Sequence, residues 1–139
     1  WGYAAAGGGE QRAYPWGEDA PDPSRAVFEC TGDGSAAGAC APSDIARVGS
    51  RSPKGDGRWG QADLGGSMFE WTLDADVPYG AEPCVDCAAI DADTSRVVRG
   101  GAWYQVSPDD ALFLQANGRN HHGMSDVLPD LGVRCVRDL

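Results

Sequence analysis

Hydrophobic residues in this chain occur in short runs, separated by long stretches of glycine, proline and polar residues. Because aromatic and β-branched residues favour strands, four of these runs predict short strands, at 26–29, 69–73, 97–99 and 133–136. Residues 1–6 predict the end of a helix that three consecutive glycines stop. Residues 108–114 predict a helical turn, since proline and acidic residues suit a helix start. The segments between these elements predict loop, so the pattern indicates an α+β fold of short elements.

Composition narrows this interpretation to a small, loop-rich domain. Leu, Ile, Val and Phe make up 22 of 139 residues, which is below the roughly 20% at which low aliphatic content and high net charge suggest disorder. Five Trp, four Tyr and five Cys offset the shortage, because each aromatic ring buries a large area. Twenty Gly and nine Pro favour irregular connections. We expect one folded domain at most.

The charge balance excludes several classes of partner. The chain carries 11 basic and 21 acidic residues and a formal net charge of −10. Such a chain repels phosphate backbones, and we expect neither nucleic acid nor an anionic membrane as a partner. No run approaches the 18 apolar residues of a membrane span. The acidity is compatible with solubility alone and also with cation binding at a few loops.

One loop has the chemistry of a cation site. Two glycines lie between Asp63 and the Met-Phe-Glu-Trp run that contains Glu70. They allow a tight turn that directs carbonyl oxygens inward, while the two acids supply carboxylates. A short loop that offers only oxygen is what a hard cation such as Ca²⁺ prefers. The alternative is a solvated acidic turn beside a core strand.

The five cysteines leave several arrangements open. Cys30 and Cys40 bracket a loop of Gly, Ala and Ser, which favours a disulfide in an oxidising compartment over two free buried thiols. Cys84 and Cys87 are compatible with disulfides, with free or redox-active thiols, or with zinc. Zinc would need further ligands, from Cys135, His121 and His122.

Four blocks in a fixed order resemble one family. They are Tyr14-Pro-Trp-Gly17, the Asp63–Asp74 block Asp-Leu-Gly-Gly-Ser-Met-Phe-Glu-Trp-Thr-Leu-Asp, Arg99-Gly-Gly-Ala-Trp103 and Gly132-Val-Arg-Cys135. They are similar to the blocks of the formylglycine-generating enzyme, or sulfatase-modifying factor, family. The resemblance implies an irregular variant of the C-type lectin fold. It also implies that residues 1–139 form the C-terminal part of one such domain, whose upstream half would pack against it.

The resemblance completes the cation site and adds an expectation for Cys135. It implies calcium held by the carboxylates of Asp63 and Glu70 and by the backbone carbonyls of Gly66 and Met68. Relatives often place a disulfide partner for Cys135 near the first residues, where this chain has Ala5. We therefore expect Cys135 to be free or paired outside these residues.

The same resemblance argues against the family's own reaction. That reaction oxidises a sulfatase cysteine to formylglycine, using O₂ and copper held by two thiolates, the ligands that Cu(I) prefers. This chain has no cysteine between Ala88 and Arg134. Gln105 or Val106, and then Ala111, occupy the two positions. We expect no copper and no formylglycine formation.

The remaining expectations concern a ligand. Arg119 matches an arginine of the family's substrate groove, and we predict a ligand groove that comprises Phe69, Trp103, Arg119 and His121. We expect a calcium-stabilised binding or accessory module, outside the cytoplasm, with a protein or small-molecule ligand. The alternative is an enzyme of the wider family that carries out an oxidative modification, similar to the non-heme-iron sulfoxide synthases or of another kind, with its catalytic residues outside residues 1–139.

Overall fold

The fold is described by a computed structural model, which covers residues 1–35, 40–80, 88–90, 95–105 and 108–136, with only the backbone at 108–110. A one-turn helix, α1, spans Gly2–Ala5. Four strands follow: β1 (Phe69–Ala75), β2 (Ser95–Arg99), β3 (Asn120–Gly123) and β4 (Leu131–Gly132). Short 3-10 helices span Gly8–Glu10, Pro42–Asp44 and Pro108–Leu114. The α+β, loop-rich prediction is confirmed.

The four strands form one sheet in the order β3-β2-β1-β4. β2 runs antiparallel to both β1 and β3, whereas β4 pairs with β1 in parallel. The register places Glu70 between Arg99 on one side and Gly132 on the other. The register of the β1–β2 pair shifts between Trp71 and Ala75, as it does at a β-bulge. Three of the four sequence blocks thus meet around Glu70.

The core lies on both faces of this sheet. Val97 and Val98 are adjacent on β2 and are 1% and 0% exposed, so both faces of the strand are covered. Phe69 packs with Val98 and Ala102 on one side, and Phe113 meets its ring edge-on at 5.7 Å. A second cluster joins Val27, Cys30 and Trp103. Aromatic residues thus supply the burial that the few aliphatic residues cannot.

Two predicted strands differ from the structure. Residues 26–28 are buried but form no ladder, because the neighbouring backbone bonds go singly to distant loops: Ser67 donates to Val27 and Cys30 donates to Trp103. The last strand was predicted at 133–136, but the pairing with β1 occurs at Leu131–Gly132, one segment earlier. Both errors concern isolated backbone contacts, which hydrophobic pattern does not encode.

Cys30 and Cys40 are joined by a disulfide, with their Cα atoms 4.8 Å apart. Within the loop that it closes, Asp33 accepts hydrogen bonds from the backbone of Ser35 and the hydroxyl of Ser43, both at 2.8 Å. Hydrogen bonding from the Ser35 side chain foremost, followed by the Ser43 hydroxyl and the Ser35 backbone N–H, lowers the pKa of Asp33 to about 2. The disulfide predicted from the sequence is therefore present. Cys135 is free and exposed, while Cys84 and Cys87 lie outside the described residues.

Among the described residues, no helix has the length and apolar character that a membrane crossing requires.

Candidate functional site

The predicted cation loop is a tight turn fixed by backbone hydrogen bonds. Asp63, Gly66 and Ser67 all have φ values in the left-handed region, at 56°, 80° and 68°. A side chain at Gly66 would approach the carbonyl oxygen of Val27 to 2.6 Å, so only glycine fits there. Ser67 donates its N–H to Val27 at 2.8 Å and accepts that of Trp103 at 2.9 Å. The loop is therefore held in place before any ligand binds.

Glu70 is the centre of a buried ionic contact that the sequence did not reveal. Its side chain is 9% exposed, and the Arg134 guanidinium donates two hydrogen bonds to its carboxylate, at 2.9 and 2.6 Å. Trp1 donates its indole N–H to the same carboxylate at 2.8 Å. Arg134 also donates to the carbonyl of Ala62 at 2.8 Å. Glu70 thus joins the first residue, the central strand and the C-terminal segment.

The carboxylate of Asp63 accepts fewer hydrogen bonds than that of Glu70. One oxygen of its carboxylate, Oδ2, accepts the backbone N–H of Gly49 at 2.6 Å. No other hydrogen bond or ion pair of Asp63 is formed with the described residues. The second oxygen is therefore open to a cation.

These contacts decide how well calcium fits the loop. A carboxylate offers about four lone-pair sites, of which Arg134 and Trp1 occupy three on Glu70. One site on Glu70 and one oxygen of Asp63 remain, together with the Met68 carbonyl and one lone pair of the Gly66 carbonyl, which already accepts the backbone N–H of Met68 at 2.9 Å. The donor set is all oxygen, as calcium requires. Its net charge is only about −1, because Arg134 neutralises one of the two carboxylates.

The predicted groove residues do not lie together. Phe69 and Trp103 are 1% and 8% exposed and belong to the core clusters. Arg119 and His121 meet at Asp76, each 2.9 Å from one of its carboxylate oxygens. Arg119 also donates to the carbonyl of Val77 at 2.8 Å. The structure therefore forms a polar cluster of Asp76, Arg119 and His121 at the surface, while the two aromatic residues belong to the core.

The two adjacent histidines of β3 point in opposite directions, as an extended segment requires. The imidazole of His121 faces Asp76 and is 58% exposed. That of His122 lies 6.3 Å from the rings of both Phe69 and Trp71 and is 20% exposed. In the described part of the chain, no group of three or more His, Cys, Asp or Glu side chains converges as a metal site would require.

The resemblance gives the positions of the family's copper ligands to Gln105 or Val106 and then to Ala111, none of which is a thiolate. Val106 lies outside the described residues. Gln105 is 6% exposed, and its side-chain oxygen accepts the backbone N–H of Ala102 at 2.7 Å. A side chain at Gly101 would come within 2.8 Å of the same oxygen. Ala111 lies on the last 3-10 helix and carries only a methyl group. The Gln105 side chain is thus packed and hydrogen-bonded to the backbone, and this part of the chain offers no pair of soft ligands.

Sequence reasoning missed Arg134 and Asp76 as partners. The sequence did contain a signal for a cation beside Glu70, because a glutamate inside an aromatic strand is rarely buried unless an opposite charge pairs with it. The only cations in the other sequence blocks are Arg99 and Arg134. Asp76 gave no comparable signal, since it lies in a loop among other acidic residues.

Comparison with known proteins agrees with this geometry. The family model of the sulfatase-modifying factor enzyme 1-like domain matches residues 1–139 of the sequence. The chain belongs to this family. A formylglycine-generating enzyme of Streptomyces coelicolor is 30% identical over 145 residues, which covers 99% of this chain and 44% of that protein. The chain therefore spans less than half the length of this curated relative.

A solved structure supports the fold of this family member. Treponema denticola variable protein 1 superposes with a TM-score of 0.66 at 24% sequence identity. The match covers 96% of this chain and 43% of the Treponema protein. At this level of identity the likeness concerns the fold alone.

Proposed function

We propose that this sulfatase-modifying factor domain is a binding or accessory module and does not oxidise cysteine. The observation that carries the proposal is the replacement of both thiolate positions. Gln105 or Val106, and then Ala111, stand at these positions, and no cysteine occurs between Ala88 and Arg134. The side-chain oxygen of Gln105 accepts the backbone N–H of Ala102. Without two soft ligands in this segment, the family's copper has no thiolate pair to bind.

We propose further that calcium binds weakly at the loop of Asp63, Gly66, Met68 and Glu70. The support is the set of oxygen donors left open in a turn that is already formed. Since Arg134 holds Glu70, a cation would share that carboxylate with a guanidinium, and the low net charge favours weak binding. A dissociation constant of about 0.1–1 mM, as in extracellular calcium modules, follows from this charge count.

Such affinities suit a compartment outside the cytoplasm, where calcium is abundant. The Cys30–Cys40 disulfide supports the same location, because disulfides persist in oxidising compartments. The polar cluster of Asp76, Arg119 and His121 is the part of the predicted groove that reaches the surface, and it would serve as part of the ligand surface.

Oxygen consumption tests the proposed function against its enzymatic alternative. The full-length protein is incubated with a Cys-x-Pro-x-Arg peptide and a thiol reductant, once with copper and once with iron(II). The Streptomyces coelicolor enzyme is the positive control, and the protein-free reaction gives the background. We expect no peptide-dependent oxygen uptake above background. Uptake with copper would refute the proposal, and uptake with iron(II) would favour the oxidative alternative.

A further inference from the structure

A cleft of about 780 Å³ lies between α1 and the loop that follows the last 3-10 helix. Its volume falls within the range of small-molecule sites, roughly 300–1,000 Å³. Tyr3 and Tyr79 contribute aromatic rings, and Gln11, Gln115 and Asn117 contribute side-chain amides. The lining thus combines apolar surface with a few polar groups, as ligand sites commonly do.

The charge of this cleft is opposite to that of the chain. Its twelve lining residues include two arginines, Arg12 and Arg99, and no acid is among the described residues that line it. The whole chain has a net charge of −10. The acidic surface of the chain as a whole attracts cations, whereas a cleft lined by arginines attracts anions. The lining therefore indicates a preference for an anionic ligand.

Arg99 carries the uncompensated charge. Arg12 is paired with Glu10 at 2.6 Å, whereas no described carboxylate forms an ion pair with Arg99. The Arg99 guanidinium donates to the carbonyl of Gly118 at 2.9 Å and to the hydroxyl of Tyr79 at 2.8 Å. Within the described chain, these contacts use two of its five N–H donors. Both acceptors are neutral, and the Trp1 ring, whose centroid lies 6.0 Å from the guanidinium carbon, adds a cation–π contact, so no carboxylate among the described residues matches the charge of Arg99.

Tyr79 supplies a second hydrogen-bond donor for an anion at the same site. Its hydroxyl oxygen accepts the hydrogen bond from Arg99, so its own proton is left to donate to another group. The Arg119 guanidinium lies 4.8 Å from the Tyr79 ring centroid and holds the ring in place. A planar guanidinium beside a hydroxyl donor matches the two oxygens of a carboxylate.

We propose that this cleft binds small ligands through a carboxylate, held by Arg99 and the Tyr79 hydroxyl, with the ligand body against Tyr3 and the amides. The inference rests on the proposed role as a binding module and specifies its ligand class. It also places the site beside the Asp76–Arg119 cluster, since Tyr79 contacts both arginines.

Matched probes test the proposal on the full-length protein. Acetyl-Ala-Tyr with a free C-terminal carboxylate is compared with its C-terminal amide by calorimetry and by ligand-observed NMR. Glucuronate and glucose form a second pair, which separates a peptide carboxylate from a sugar acid. We expect at least one acid to bind at least tenfold more tightly than its neutral partner. Equal binding within both pairs, or no binding by either acid, would refute the proposal.

Variants locate the site. Arg99→Gln should reduce binding of the acid to the level of the neutral probe, and Arg99→Lys should retain part of it. Tyr79→Phe removes one donor without changing charge and should weaken binding several-fold. Arg96→Gln makes the same charge change on the same strand, outside the cleft, and should bind as the wild type does. A loss with Arg96→Gln equal to that with Arg99→Gln would overturn the assignment.

The readouts keep this inference separate from the proposed function. Calcium-dependent melting and oxygen uptake are measured on the same preparations as probe binding. If calcium stabilises the protein and no oxygen is consumed while neither acid binds, the cleft assignment fails and the proposed function stands. If oxygen is consumed while an acid binds at Arg99, the non-catalytic role fails and the cleft assignment stands.

Discussion

Replacing Glu70 with glutamine tests the ionic contact that joins three parts of the chain. Glutamine keeps the shape of the side chain and still accepts the indole N–H of Trp1, but it removes the negative charge that pairs with Arg134. Removing one partner of a fully buried ion pair costs about 3–5 kcal/mol. The Arg134 side chain is 32% exposed, so water solvates part of its charge and lowers the cost. We expect Glu70→Gln to lower the free energy of unfolding by about 2 kcal/mol.

The assay is chemical denaturation of the full-length protein in calcium-free buffer, so that loss of a bound cation does not contribute. Glu29→Gln is the matched control, because Glu29 forms no ion pair with the described residues, and it should change stability by less than about 0.5 kcal/mol. A double-mutant cycle with Arg134→Gln isolates the pair and should give a coupling of about 1–2 kcal/mol. A coupling near zero would refute the reasoning that the pair stabilises the fold.

Three further predictions concern the disulfide, calcium and acid stability. Replacing Cys30 and Cys40 with alanine should lower the free energy of unfolding by about 2–3 kcal/mol on the chain-entropy model for a separation of 10 residues; an unchanged denaturation midpoint would contradict this. Calcium at 10 mM should stabilise the protein by about 1.4 kcal/mol if the dissociation constant is about 1 mM. Asp63→Asn should abolish that gain in a melting titration, and an equal shift in the variant would exclude the loop. The pKa of Asp33, lowered to about 2 from 3.8, means that its stabilising contribution is present above pH 4 and is lost as the pH falls towards 2. Asp33→Asn should therefore flatten that part of the stability profile, and an unchanged slope between pH 4 and pH 2 would contradict this assignment.

The sequence predicted those parts of the fold that depend on local pattern. The first helix ends at Ala5, just before Gly7, whose φ of 65° is left-handed, as the run of glycines indicated. β1 and β2 occur where aromatic and β-branched residues cluster, and the turn at Pro108 is helical. The family blocks added the C-type-lectin-like architecture, which pattern alone did not specify.

The candidate site was less predictable, because its contacts join residues far apart in sequence. Glu70 meets Arg134 across 64 positions and Trp1 across 69, and nothing local distinguishes Arg134 from Arg99, the other arginine of the sequence blocks. Phe69 and Trp103 were assigned to a groove from their place in the motifs, whereas burial depends on which sheet face is covered. The Arg99–Tyr79 contact depends on how the loop after β1 folds back.

The proposed non-catalytic role depends most directly on whether formylglycine is formed. The full-length protein, supplied with copper, reductant and oxygen, is incubated with a Cys-x-Pro-x-Arg peptide, and the peptide is analysed by mass spectrometry beside the Streptomyces coelicolor enzyme. With Gln105 or Val106 at one thiolate position and Ala111 at the other, we expect the peptide cysteine to remain unconverted at every time point. Enzyme-dependent appearance of the aldehyde product would contradict the central claim.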